Sequence, residues 1–141
     1  MTTTLLIRSV SFGDGTTYCW DEGGPQGLGE PTPRNNDVPR GHADGDMAQS
    51  DWLPPRQMNF PFVIGTPQVT TRPAAVAALE AARVAWTRSQ TDLPVVLNLE
   101  GQSYTFVGRP NGFTVDLTRF MTGLLVIRIM CNFRAVDPAI Y

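Results

Sequence analysis

Between Arg56 and Gly65 the large apolar side chains fall on every second position: Met58, Phe60, Phe62 and Ile64 alternate with Asn59, Pro61 and Val63. A period of two is that of a strand with one face buried. Pro61 cannot donate to a ladder, which predicts an edge or neighbour-facing place for this strand. Residues 121–134 repeat the pattern, with Met121, Gly123, Leu125, Ile127, Ile129, Cys131 and Phe133 on the core side. The other side, Thr122, Leu124, Val126, Arg128, Met130, Asn132 and Arg134, is half apolar, so a helix or a second subunit is expected to cover it. "LPVVLNLEG", "QSYTFVG" and "FTVDLT" read as further strands, the first two joined at Glu100-Gly101. Near the start, "LLIRSV" and "TTYCW" flank "SFGDG", which predicts a hairpin over residues 5–20 turning at Asp14-Gly15. Only over residues 73–90 does the period change. Val76, Leu79, Ala82 and Trp86 recur at three- and four-residue steps behind Pro73, which predicts one helix.

Residues 21–56 break every period. They are dense in Gly, Pro, Asp and Asn, a composition that makes either a surface loop or an arm ordering on a neighbour. Trp52, Leu53 and Val38 favour the arm, because a solvated loop has little use for them. The order of elements implies a single α+β, mostly β domain over residues 1–141: a small β-barrel or sandwich with one packed helix and a long irregular arm or loop. The charged fraction is 17% and the formal net charge −2, which gives no basic surface for nucleic acid or anionic lipid. All 11 basic residues are Arg, a side chain suited to protein contacts as well as a product of codon bias. "GLLVIRIMC" is too short for a membrane span and carries Arg128, so no membrane insertion is expected.

Catalytic chemistry has little to start from. His42 is the one histidine, and neither cysteine, Cys19 or Cys131, has a ligand spacing around it. Asp44, Asp46 and Asp51 lack the frame of a calcium loop, and "GGPQGLGE" lacks the Lys-Ser/Thr of a phosphate cradle. No serine sits in a G-x-S-x-G context. No catalytic, cofactor or metal residues are therefore expected, and no enzyme. The residues left over are contact candidates: Trp52 and Leu53 in the arm, Arg56 and Pro61 on the first long strand, and Leu124, Val126, Arg128 and Met130 on the second face of the last.

An Arg opening a strand (Arg56), a helix, a strand ending in Gly108-Arg109-Pro110, and a closing strand running through Phe133, Ala135, Asp137, Pro138 and Tyr141 occur here in that order. Taken together over residues 38–141, this string resembles the N-terminal domain of distal tail proteins (minor tail proteins) of long-tailed bacteriophages, in the form carried by actinobacterial phages. The resemblance implies a structural virion protein, assembled in the host cytoplasm into a hexameric ring that joins tail tube to baseplate or tail-tip proteins. It implies that DNA passes through the ring without specific binding, and that a further domain follows in such proteins after Tyr141. Two alternatives stay open at this point: a tail-tube or tail-terminator subunit, and a β-sandwich carbohydrate or receptor binder using residues 21–56 and Trp52.

Overall fold

The computed structural model describes residues 3–28, 38–39, 46–47 and 56–135. Trp52, Leu53, His42, Asp137, Pro138 and Tyr141 lie outside the described residues, as does most of the arm. Among the described residues nine strands and two helices follow in chain order: β1 (Thr4–Ile7), β2 (Val10–Phe12), β3 (Tyr18–Trp20), β4 (Val38–Pro39), β5 (Asp46–Met47), β6 (Arg56–Gly65), α1 (Arg72–Ala85), β7 (Leu93–Leu99), β8 (Gln102–Asp116), α2 (Thr118–Met121) and β9 (Val126–Ala135). Seven strands form one antiparallel sheet in the order β2-β1-β7-β8-β9-β6-β3, while β4 and β5 pair only with each other. The sheet curls into a nearly closed barrel. Phe12 at one edge and Tyr18 at the other bring their rings to 4.5 Å, with no ladder between β2 and β3.

The alternation in β6 holds as read: Met58, Phe60, Phe62 and Ile64 are fully buried. On β9 the buried set is Ile127, Ile129, Cys131, Phe133 and Ala135, facing the same core across the register Phe60↔Cys131 and Phe62↔Ile129. This strand begins at Val126, not at residue 121. Thr118–Met121 instead form a short helix and Gly123 turns with φ 101°, so Met121 is 74% exposed instead of lying in the core. "QSYTFVG" and "FTVDLT" are one strand, β8, bent at a bulge between Pro110 and Gly112. An extra residue there raises the local twist and lets one strand serve two parts of a barrel wall.

The first hairpin turns elsewhere than the glycines suggest. Ile7 pairs with Val10 across a two-residue loop whose members, Arg8 and Ser9, both have positive φ (48° and 65°). That is the backbone twist a tight hairpin requires, here met without Gly or Asn. Asp14-Gly15 lies in the loop that carries the chain over the seam from β2 to β3, and β3 pairs with β6 instead of with β1. Gly13 is needed in that loop, because a Cβ would run into the Trp20 ring.

Helix α1 starts at a Thr71 cap, whose hydroxyl accepts from Ala74 N at 3.3 Å, and Pro73 sits in its first turn. It ends at Ala85, five residues before the expected position 90, with Trp86 leaving helical geometry at ψ 16°. Its buried face is Ala75, Ala78, Leu79, Ala82 and Ala85, whereas Val76 is 43% exposed. Four alanines let the helix axis approach the strands closely, and that contact decides its rotation over the slightly larger Val76. The helix closes the core from inside the curl: Tyr18 Oη donates to Ala78 O at 2.6 Å and Trp86 Nε1 to Asn132 O at 2.8 Å. It does not cover the outer side of β9.

Burial pushes the Tyr18 phenol up to about 12, the charges of Cys131 and Asp14 adding to it. The neutral phenol is the form the fold favours, so its contribution is complete below the ordinary value of about 10 and is lost as pH rises through about 12. Thermal melting of the wild type is expected to fall faster between those pH values than that of Tyr18→Phe. At neutral pH the same substitution is expected to cost about 1 kcal/mol for the hydrogen bond. Parallel pH profiles for the two proteins would contradict this.

Candidate subunit interface on the outer sheet

On the outer side of β9 the side chains of Val126, Arg128, Met130, Asn132 and Arg134 project from the barrel. Val126 and Met130 are half-buried, Arg128 and Arg134 exposed. Met130 lies between Pro61 on β6 and Thr114 on β8. These residues, with Asp21, Asp116 and Arg128, line a shallow groove of ≈ 260 Å³. Arg128 Nε reaches Asp21 Oδ2 at 3.7 Å, a loose and partly exposed pair of small energetic weight. Asp116 accepts hydrogen bonds from Thr118, which hold its carboxyl below the usual range, with Arg128 and Arg119 adding to the effect.

Pro61 is buried and does not lie at a free edge, since β6 has neighbours on both sides. Its missing N–H instead ends the β3 ladder: Asp21 N donates to Pro61 O at 3.1 Å and no return bond is chemically possible. Beyond that point the chain returns to β6 through the reciprocal pair Gln26–Asn59. Arg56 is only 5% exposed and donates to Gly27 O at 2.7 Å. Gly27 itself lies so close to Gln57 O that a Cβ would collide. Arg56 therefore holds the first turn of the arm against β6 and is not available as contact surface. Leu124 is 56% exposed, but it sits with Met121 at the barrel end, in the turn before β9, and not on its outer face.

The Gly-Arg-Pro and Phe-x-Ala positions lie opposite one another, Gly108 against Ala135 and Pro110 against Phe133, with Arg109 next to Arg134. Gly108, Pro110, Phe133 and Ala135 are buried, while Arg109 forms an exposed pair with Asp92 at 3.1 Å. The shared string is thus mainly a set of packing constraints on one strand pair. A second exposed apolar patch escaped sequence reading. Leu6, Pro94, Val96 and Val107 project from β1, β7 and β8, three strands round the wall from β6. Alternation with buried Leu5, Val95, Leu97 and Phe106 was its available signal. Among the described residues no three His, Cys, Asp or Glu side chains gather as a metal site, and no helix is long and apolar enough to cross a membrane.

Comparison with solved structures finds this architecture again in the SPP1 Dit protein, described as a paradigm of the hub adsorption apparatus in phages infecting Gram-positive bacteria. The fold is shared. The match has a TM-score of 0.74 at 17% sequence identity and covers 100% of this chain. It covers 52% of the Dit chain, so the present chain spans about half the length of that protein. No family model and no curated protein matches the sequence.

Proposed function

We propose that this protein is a structural, non-catalytic subunit of a bacteriophage tail tip. Copies form a hexameric ring that joins the tail tube to baseplate or tail-tip proteins and leaves a channel for DNA. The observation that carries this reading is the agreement of fold with the Dit hub protein over the whole chain. The ordered motif string adds support, its Gly108-Arg109-Pro110 and Phe133-x-Ala135 parts lying opposite one another on β8 and β9. A ring closes through a head-to-tail contact, in which one surface meets a different surface of the next copy. The exposed apolar residues on two separate parts of the wall suit such a contact better than a single self-complementary patch would. A lasting ring needs roughly 1,000 Å² or more per contact.

Native mass spectrometry and negative-stain images of the purified chain, over a range of concentrations and in isolated tails, test the proposal. Closed rings of six are expected. Monomers at every concentration, together with absence of the chain from the tail tip of the virion, would overturn it.

A further inference from the structure

Strand β8 changes partners along its length, pairing with β7 over Gln102–Gly108 and with β9 from Gly108 to Asp116. The register with β9 slips between Pro110↔Phe133 and Gly112↔Asn132, so Asn111 is the extra residue of the bulge and has no partner in that ladder. No strand among the described residues lies on its other side. Its main chain is therefore outside both ladders, and its side chain is exposed. The amide reaches over β9 to Gln57 Oε1 at 3.3 Å, a long bond open to water. Gly112 follows, and Asn111 is the one asparagine of the chain with a glycine after it. Asn59, Asn98 and Asn132 lie inside strand ladders and precede Phe60, Leu99 and Phe133. Asn132 O, opposite Gly112, accepts from the Trp86 indole at 2.8 Å, so it does not serve the ladder alone.

We propose that Asn111-Gly112 is a site of spontaneous covalent modification, at which the side-chain amide is converted to a carboxylate. Solvent hydroxide takes the proton from Gly112 N, and this nitrogen attacks Asn111 Cγ with no side chain of its own in the way. The new C–N bond closes an imide ring, the bond from Cγ to Nδ2 breaks, and ammonia leaves. Water then opens the imide at either carbonyl, giving aspartate or its β-linked isomer. Water is the only co-reactant, and nothing is oxidised or reduced. The isomer carries an additional main-chain carbon, which a ladder position would resist and a bulge residue absorbs. The surroundings favour the product as well. Arg109 and Arg134 stand directly opposite one another on β8 and β9, a like-charge pair that costs stability. Arg109 has Asp92 at 3.1 Å, whereas Arg134 makes no ion pair among the described residues. Gln57, which the Asn111 amide contacts, is the register partner of Arg134, so a carboxylate at position 111 stands beside that guanidinium. The modification thus adds one negative charge to the outer sheet face, next to a cation that lacks a counter-ion.

The test incubates the full chain in mildly alkaline buffer, folded and in urea, and follows each asparagine by peptide-mapping mass spectrometry. Aspartate and its isomer are expected at position 111 in the folded chain, within severalfold of the rate in urea. An acidic band on isoelectric focusing is expected to grow alongside, and Asn111→Gln to abolish it. Gly112→Ala is expected to slow conversion severalfold, because its Cβ crowds the attacking nitrogen. That Cβ comes 2.8 Å from Asn132 Nδ2, the movable end of an outward side chain, so the variant is expected to fold. Should it fail to fold, Asn111→Gln decides. Conversion in urea with none in the folded chain would show that the fold shields Asn111 and would overturn the proposal. So would folded-state conversion that leaves position 111 intact. Asn111→Asp isolates the electrostatic part: its melting temperature is expected to exceed that of the wild type at low salt, the gain disappearing at high salt. A melting temperature no higher than wild type at low salt would overturn the pairing with Arg134.

Discussion

Replacing Trp86 with alanine is expected to lower unfolding free energy by about 3–5 kcal/mol, the range for deleting a large buried aromatic side chain. Trp86 is 3% exposed and meets the rings of Phe12, Phe60 and Phe133 at 6.3, 6.1 and 6.2 Å, in edge-on geometry. It thereby ties the helix end to β2 and to the paired strands β6 and β9. Its indole N–H also satisfies Asn132 O, which lies opposite the β8 bulge where the ladder is interrupted. Trp86→Phe keeps most of the packing and orphans the carbonyl, so its cost should be smaller, about 1–3 kcal/mol. Domains of this kind are stable by roughly 5–15 kcal/mol, so the alanine variant loses a large share. Urea unfolding of both variants measures this, and equal costs would mean that the hydrogen bond, not the packing, dominates.

Gly108→Ala is expected to cost about 3 kcal/mol, the upper end of the overpacking range. A Cβ at this position would collide with Arg134 O and stand 2.7 Å from Ala135 Cα. Both are main-chain atoms of β9, held in register on each side by β6 and β8, so neither can swing away. Gly15→Ala supplies the comparison. Gly15 has φ +84° and nothing within 4 Å of an added Cβ, so only backbone strain of about 1–2 kcal/mol applies there. The larger loss at Gly108 would show that the Gly-Arg-Pro string encodes strand contact. A smaller loss at Gly108 than at Gly15 would contradict the packing described for this pair.

Where the chain's own chemistry was enough, reading it as a string succeeded. Period-two burial in β6, the Glu100-Gly101 hairpin and the presence of one capped helix depend on neighbours a few residues away, and all three stand in the structure. The hairpin at Arg8-Ser9 carried no such signal, because neither residue favours positive φ and the strands on each side impose it. On the helix Leu79, Ala82 and Trp86 of the expected stripe are buried and Val76 is not: Val76 outranks alanine in hydrophobicity, but closeness to the sheet put Ala75 and Ala78 on the face instead. The end of β8 and the turn at residues 117–125 shifted the last strand by five residues, since alternation marks a face without marking where pairing begins. On the candidate interface, Val126, Arg128 and Met130 were legible as an outward row, and Arg56 was not legible as a buried tie to Gly27. Sequence alone thus determined which residues turn inward along each long strand. Only the tertiary structure decided which strands become neighbours and which edge of β8 is left unpaired, because a strand's period records its two faces, whereas its hydrogen-bonding edges are the same main chain in every residue.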